Sequence, residues 1–417
     1  MEENKTMEVA ALASIPLIMT LGNSMLIPVL TIIQNKLDIS PFQSSLIITV
    51  YSVVAIVFIP IAGYLSDRIG RKKVIIPSLV LSGLGGLIAG AAAMFLAHPY
   101  WFILLGRLLQ GIGSSGAFPV VIPLIGDLFN NEKAVSKALG ILETSNTFGK
   151  VLSPILGSLF AAIVWYAPFL AIPLLCLIAI AMVGYSVDVP PRDEQPKPFR
   201  AFVSETFAVL KQKAHWLIAV FIIGGIIMFV LFGTLFYLSE ILESDYGING
   251  VRKGFVIAIP LVAISGASLI AGTKIGKNKR LMKWMTLSGM SVLAASMVLL
   301  SFQPNVRLFL LYLFIGGIGI GVTLPSIDSF VTEGIEKENR GTISSLYSSM
   351  RYIGVAVGPP LFATLMKVSV PIMFLVAAAT AAAALLLSLF AIRPGSSDKG
   401  EETPAERPSN EGKLKPI

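Results

Sequence analysis

Four charged side chains stand where an apolar chain accommodates them least: Arg107, Glu143, Lys150 and Arg351. Glu143 and Lys150 are seven residues apart, so a helix places them on nearly one face, with Asn146 on the adjoining stripe. A carboxylate facing an ammonium in a site shielded from bulk water can hold and release a proton or bind a charged solute. Glu143 is therefore a candidate proton carrier, and Lys150 a candidate substrate or counter-charge group. The structural alternative is an ion pair to a neighbouring helix. Lys150 and Arg351 both fall near the middle of apolar runs. A lipid-facing charge there costs at least about 2.5 kcal/mol, so each must turn toward a cavity or a partner. Arg107, in Arg107-Leu108-Leu109-Gln110-Gly111-Ile112-Gly113, is under the same constraint, eased by lying about two turns from the end of its run. Asn23 adds a polar group from the first run. Arg107, Lys150 and Arg351 outnumber Glu143, which favours an anionic or zwitterionic amphiphile, although Asp328 at the end of the tenth run offsets one charge.

The elements that must position these groups are long apolar runs. Hydrophobic residues make up 55% of the 417 residues and charged ones only 13%, so most of the chain must face lipid. Twelve runs are long enough to span a hydrocarbon core: 7–33, 42–62, 74–96, 100–122, 138–164, 168–185, 216–238, 251–271, 282–302, 308–327, 342–366 and 371–392. Lys and Arg concentrate in the even-to-odd links, which places both termini in the cytoplasm. The break at 187–215, with Pro190, Pro191, Pro196 and Pro198 among mixed charges, divides six runs from six. The expected organisation is a first bundle over 1–186, a cytoplasmic linker over 187–215, a second bundle over 216–393 and a disordered tail over 394–417.

The halves repeat. Gly111-Ile112-Gly113 with Pro119 recurs as Gly317-Ile318-Gly319 with Pro325, Asp127 aligns with Glu333, and Gly149, Ser153 and Pro154 align with Gly354, Gly358 and Pro359. The fold class is an all-α membrane protein of 12 transmembrane helices in two pseudo-symmetric six-helix bundles.

The link after the second run reads Gly63-Tyr64-Leu65-Ser66-Asp67-Arg68-Ile69-Gly70-Arg71-Lys72-Lys73. It resembles G-x-L-S/A-D-R-x-G-R-R/K-K/R, the loop between the second and third helices of the major facilitator superfamily. The resemblance implies a conformational gate formed by Gly63, Asp67, Arg68, Gly70 and Arg71. In the fifth run, Gly140, Gly149, Ser153, Pro154 and Gly157 are similar to the antiporter signature G-x8-G-x3-G-P-x2-G-G of drug:proton exporters. Ser153 and Ser158 depart from it where glycine is usual. Small residues there let the helix pack tightly, and Pro154 predicts a kink. Around Arg107 the chain is similar to the family pattern R-x-x-Q-G-x-G, where the arginine is tied to proton coupling. The resemblance implies a proton-coupled exporter of a small amphiphile such as a drug or secreted metabolite, an anionic, siderophore-like compound among them, working by alternating access. An importer of a small anion or sugar, or a lipid-linked glycan flippase, uses the same fold.

Other classes find no support in the residues. The net charge of +8 lies in short links between runs, which suits anionic headgroups rather than nucleic acid. Cys176 is the single cysteine, so there is no disulfide framework and no metal set. No G-x4-G-K-S/T phosphate loop is present, so the energy must come from an ion gradient. The expected partners are a small-molecule substrate, protons and membrane lipids, around a monomer with no cofactor and no enzyme activity in the cell membrane.

Overall fold

The structure is a computed structural model that describes residues 3–129, 131–188, 199–276, 278–302 and 305–392. The described residues form helices: α1 (Glu3–Ser24), α2 (Leu30–Leu37), α3 (Pro41–Ile69), α4 (Arg71–Phe95), α5 (Tyr100–Leu128), α6 (Glu132–Ile163) and α7 (Ala167–Ser186). They continue as α8 (Phe199–Gln212), α9 (Ala214–Ser244), α10 (Gly250–Ile275), α11 (Lys279–Ser301), α12 (Val306–Gly334), α13 (Lys337–Val368) and α14 (Val370–Ala391). Local chemistry sets several boundaries. Ser40 and Gln43 close a reciprocal capping box at the start of α3. Asn278 and Asn305 accept the Leu281 and Leu308 amides at the starts of α11 and α12. Gly70, at φ +104°, makes the sharp break between α3 and α4 that a side chain would resist.

Contacts between helices repeat from one half to the other. α1 packs on α6 and α7 as α9 packs on α13 and α14; α3 packs on α5 as α10 packs on α12. Likewise α4 packs on α5 and α7 as α11 packs on α12 and α14. Across the halves α3 lies on α13 and α10 on α6, which is the same pairing under the same exchange. The repeated glycines do equivalent work. A side chain at Gly113 would collide with Ser78 and Ser82 of α4, and one at Gly319 with Gly289 of α11. Gly149 rests on Leu17 and Thr20 of α1 as Gly354 rests on Gly225 and Phe229 of α9.

Eleven spans among the described residues are long and apolar enough to cross a membrane. The twelfth crossing element, α13, is 32 residues long but carries Ser344, Ser345, Ser348, Ser349 and Arg351 in its middle. It is polar because it is wedged between α3 and α9 rather than against lipid. Outward-facing Val53, Val57, Ile61, Leu84, Leu87, Leu174 and Leu177 are exposed, and such a belt suits hydrocarbon, not water. Trp101 and Trp284 are also exposed near helix ends, as interfacial anchors are.

Several run boundaries differ from expectation. The first run is broken by a 3-10 turn at Ile27–Val29, where Pro28 removes a backbone donor. The fourth and tenth runs continue as helix past Ile122 and Ile327 to Leu128 and Gly334. This places Asp127, Asp328 and Glu333 on helices rather than in links. Within the expected linker, α8 is an amphipathic helix; residues 189–198 and the expected tail lie outside the described residues.

Candidate functional site

α6 and α13 occupy equivalent places in the two halves, and each carries charges into the space between them. On α6, Asn146 Nδ2 lies 3.4 and 3.5 Å from the Glu143 carboxylate oxygens, and the Thr147 hydroxyl lies 3.4 Å from Oε1. Asn146 is itself fixed by the Thr20 hydroxyl of α1, which donates to its Oδ1 at 2.6 Å. Glu143 is exposed, and Lys150, two turns on, is half-buried. On α13, Arg351 Nη1 lies 3.6 Å from Asp328 Oδ1 of α12, and its guanidinium covers the Tyr347 ring at 5.6 Å. Lys150 lies within electrostatic reach of Glu143, Arg351 and Asp328. Two cations and two carboxylates, one of each from each half, therefore face one another. With Asp328 drawn in, the site is balanced rather than net positive, which corrects the charge count made from the sequence.

Arg107 stands apart from this group. It is fully buried and all its bonds go to neutral partners. Nε donates to the Ile47 carbonyl at 2.9 Å, Nη1 to the Gly22 carbonyl at 3.1 Å and to Gln110 Oε1 at 2.5 Å, and Nη2 to Asn23 Oδ1 at 2.9 Å. The Tyr51 ring covers it at 4.5 Å. Arg107 thus joins α1, α3 and α5, and Asn23 serves as its acceptor.

The link at 63–73 ties three helix ends of the first half together. Arg71, at the start of α4, pairs with Asp67 at 2.5 Å, with Asp127 of α5 at 3.0 Å, and donates to Ser66 Oγ at 2.8 Å. Arg68 is exposed. Gly63 lets α3 approach Ser345 of α13 in the other half. In the fifth-run pattern, Gly149 and Ser153 face α1, and Gly157 faces the turn that follows it; a side chain at Gly157 would strike the Met25 backbone. Ser153 Oγ donates to the Gly149 carbonyl at 2.6 Å. Pro154 and Ser158 face Gly254 of α10, while a side chain at Gly140 would meet no atom within 4 Å.

At the end of the molecule opposite the termini, the halves are latched. Ser239 Oγ donates to the Ile27 carbonyl at 2.8 Å, and the Thr31 hydroxyl to the Ser239 carbonyl at 3.4 Å. Gln34 Nε2 donates to Glu240 Oε2 at 3.0 Å, and Lys253 Nζ to Thr31 Oγ1 at 2.9 Å. Lys253 also pairs with Glu243 at 2.8 Å. Midway, the Thr49 hydroxyl donates to the Ala356 carbonyl at 2.7 Å. With that end held, Glu143 and the 44% of the Asp328 side chain that is exposed open toward the termini.

From the sequence, Tyr51 and Tyr347 stand only among aromatics that could line a cavity or pack, without their place over Arg107 and Arg351, and the latch residues Thr31, Gln34, Glu240 and Lys253 were not found. Asp328 reads there only as an offsetting charge.

A model of the Major Facilitator Superfamily matches residues 12–359 and 283–416. A bacillibactin exporter of Bacillus subtilis (strain 168) is 52% identical over 392 residues, covering 94% of this chain and 98% of that protein. A class B tetracycline resistance protein of Escherichia coli is 25% identical over 415 residues, covering 94% and 98%. Among solved structures, the human organic anion transporter MFSD10 (TETRAN) superposes with a TM-score of 0.72 at 15% identity, covering 93% of this chain and all of that one. A bacterial homologue of the human lysosomal transporter Spinster, inward-facing and occupied, gives 0.73 at 14% identity, covering 94% and 97%.

Proposed function

The chain belongs to the Major Facilitator Superfamily, and we propose that it is an exporter that carries a small amphiphilic compound out of the cell in exchange for protons. The cargo class is that of the relatives: a siderophore-like metabolite, as for the bacillibactin exporter, or a drug, as for the tetracycline resistance protein. The observation that carries the reading is the facing of Glu143 and Lys150 against Asp328 and Arg351, one pair from each half, in a space latched at one end and reachable from the other. Rocking the halves about such a site exposes it alternately to the two sides. Cargo-binding roles fall to Asn146, Lys150 and Arg351, and the coupling proton to an acid of the same group. Arg107 and Asn23 hold the first half in register around the site. The link at Gly63, Asp67, Arg68, Gly70 and Arg71 and the α6 face at Gly149, Ser153, Pro154 and Gly157 guide its motion.

The Lys- and Arg-rich links place the termini in the cytoplasm of a cell membrane, so the open end takes cargo from the cytoplasm. The halves divide at 187–215, and the working unit is a monomer without cofactor or enzyme activity. Uptake of bacillibactin into inverted proteoliposomes tests the reading. Accumulation driven by an imposed pH gradient, acid inside, supports it; uptake indifferent to the gradient rejects antiport.

A further inference from the structure

Two tyrosines meet across the seam between the halves. Tyr51 of α3 and Tyr352 of α13 have ring centroids 6.3 Å apart, and their hydroxyls are hydrogen-bonded. Tyr51 is buried and braced from behind: its ring covers the Arg107 guanidinium, and its hydroxyl also reaches Ser114 of α5. Tyr352 is the chain neighbour of Arg351. The second half is built differently at the equivalent place. With Gly111 aligned to Gly317, Leu313 stands where Arg107 does, and Gly316 where Gln110 does. Gly111 lies on the backbone of Tyr51, as Gly317 lies on that of Pro260. Leu313, Gly316 and Pro260 line a small apolar cavity instead of joining in a polar hub. On α6, Asn146 is anchored by the Thr20 hydroxyl of α1. Its counterpart on α13 is Arg351, whose stem α9 meets with Gly224. Arg351 leans on Tyr347, one turn back on its own helix, and pairs with Asp328 at 3.6 Å. Neither contact fixes α13 against the first half.

Resting on the exporter reading, we propose that Tyr51 is a positioning residue for the cargo site: by holding Tyr352 it sets Arg351 opposite Lys150. The cargo meets one cation from each half, so its affinity depends on the register between the halves. The tyrosine pair fixes that register beside Arg351 itself, whereas the Ser239, Gln34 and Lys253 bonds hold the far end. The Thr49 bond to the Ala356 carbonyl, one turn further along α13, supports the same seam through backbone alone. Arg107 then acts at a distance. Its guanidinium under the ring keeps Tyr51 from turning, and the Tyr51 hydroxyl passes the order of the first-half hub to the second half. Tyr51 works through Tyr352 and Arg351 and does not itself touch the cargo.

Bacillibactin isotherms on the purified full-length protein in detergent, with melting temperatures measured alongside, test the assignment. Tyr51→Phe and Tyr352→Phe each keep the ring and remove the hydroxyl. Each is expected to weaken binding about 3- to 10-fold, the worth of one hydrogen bond. The double variant is expected to bind no more weakly than Tyr51→Phe alone, because both changes remove the same bond. In an Arg351→Met background, Tyr51→Phe is expected to change affinity less than about twofold, since the group it positions is gone. A merely structural tyrosine would lower the melting temperature and leave the affinity of the folded protein alone. Unchanged affinity in both single variants, losses that multiply in the double variant, or an undiminished loss in the Arg351→Met background overturns the assignment while leaving export intact. Should Tyr51→Phe not fold, Tyr352→Phe in the same background gives the same reading. Failure of wild type to bind bacillibactin at all overturns the siderophore reading, and this inference with it.

Discussion

Lys253 Nζ stands 2.9 Å from Thr31 Oγ1, a hydrogen bond that crosses from one half of the transporter to the other with the lysine 1% exposed. A buried cation is tolerated when it is paired and hydrogen-bonded, and Glu243 at 2.8 Å supplies the opposite charge. Burying this group at the seam makes the latch specific, because separating the halves strips Lys253 of Thr31.

Thr31→Val keeps the shape but removes both the acceptor for Lys253 and the donor to Ser239. The 2.9 Å bond from Lys253 is worth about 1 kcal/mol and the longer 3.4 Å bond to Ser239 adds less, so the open population at that end is expected to rise at least about fivefold. Spin labels at Lys36→Cys and Asp245→Cys in a Cys176→Ala background report it as a longer-distance component. An unchanged distance distribution contradicts the latch.

Arg107 is expected to act as a structural hub. Arg107→Lys replaces a planar fork joined to Ile47, Gly22, Gln110 and Asn23 with a point donor that cannot reach all four. Asn23→Ala removes one acceptor and leaves a guanidinium donor buried, at a cost of about 1–3 kcal/mol. Both variants should show lowered melting temperatures, with Arg107→Lys the more affected. Wild-type melting with lost transport would instead point to direct contact with cargo or proton.

Lys150→Met and Arg351→Met test the cargo's charge. A hydrogen bond to a charged group contributes about 1.5–3 kcal/mol, so each variant should lose roughly 10- to 100-fold in affinity for an anionic cargo. Binding isotherms in detergent measure it. Unchanged affinity in both would remove the case for an anionic cargo.

The glycines of α6 are not equivalent, although the sequence pattern treats them alike. Gly157→Ala drives a methyl into the Met25 backbone and is expected to cost about 1–3 kcal/mol and impair transport. Gly140→Ala meets open space, so it should be tolerated or slightly stabilising, by up to about 1 kcal/mol of helix propensity. Melting temperatures of the two variants side by side check the contrast.

What the sequence conveyed followed from apolar length and repeat. The spans could be placed because a hydrocarbon core demands them, and Gly113 and Gly319 could be aligned because each must fit against a neighbouring helix. Asp328 was harder to read. An acid ends an apolar run, so the run appeared to stop at Ile327, whereas the helix continues to Gly334 and carries the carboxylate inward. Lys253 gave no local signal either: it lies at the start of the run 251–271, and its partner Thr31 belongs to the other half. The Arg107–Tyr51 and Arg351–Tyr347 stacks had different prospects. The second joins residues one helical turn apart, while the first joins α5 to α3 and leaves no trace in local spacing.

Proton movement coupled to cargo movement tests the central claim. With a pH dye sealed inside proteoliposomes that hold the wild-type protein, an inward bacillibactin gradient should raise the internal pH as protons leave against the entering cargo. Internal acidification as cargo enters, or a silent dye during measured cargo flux, would contradict proton antiport.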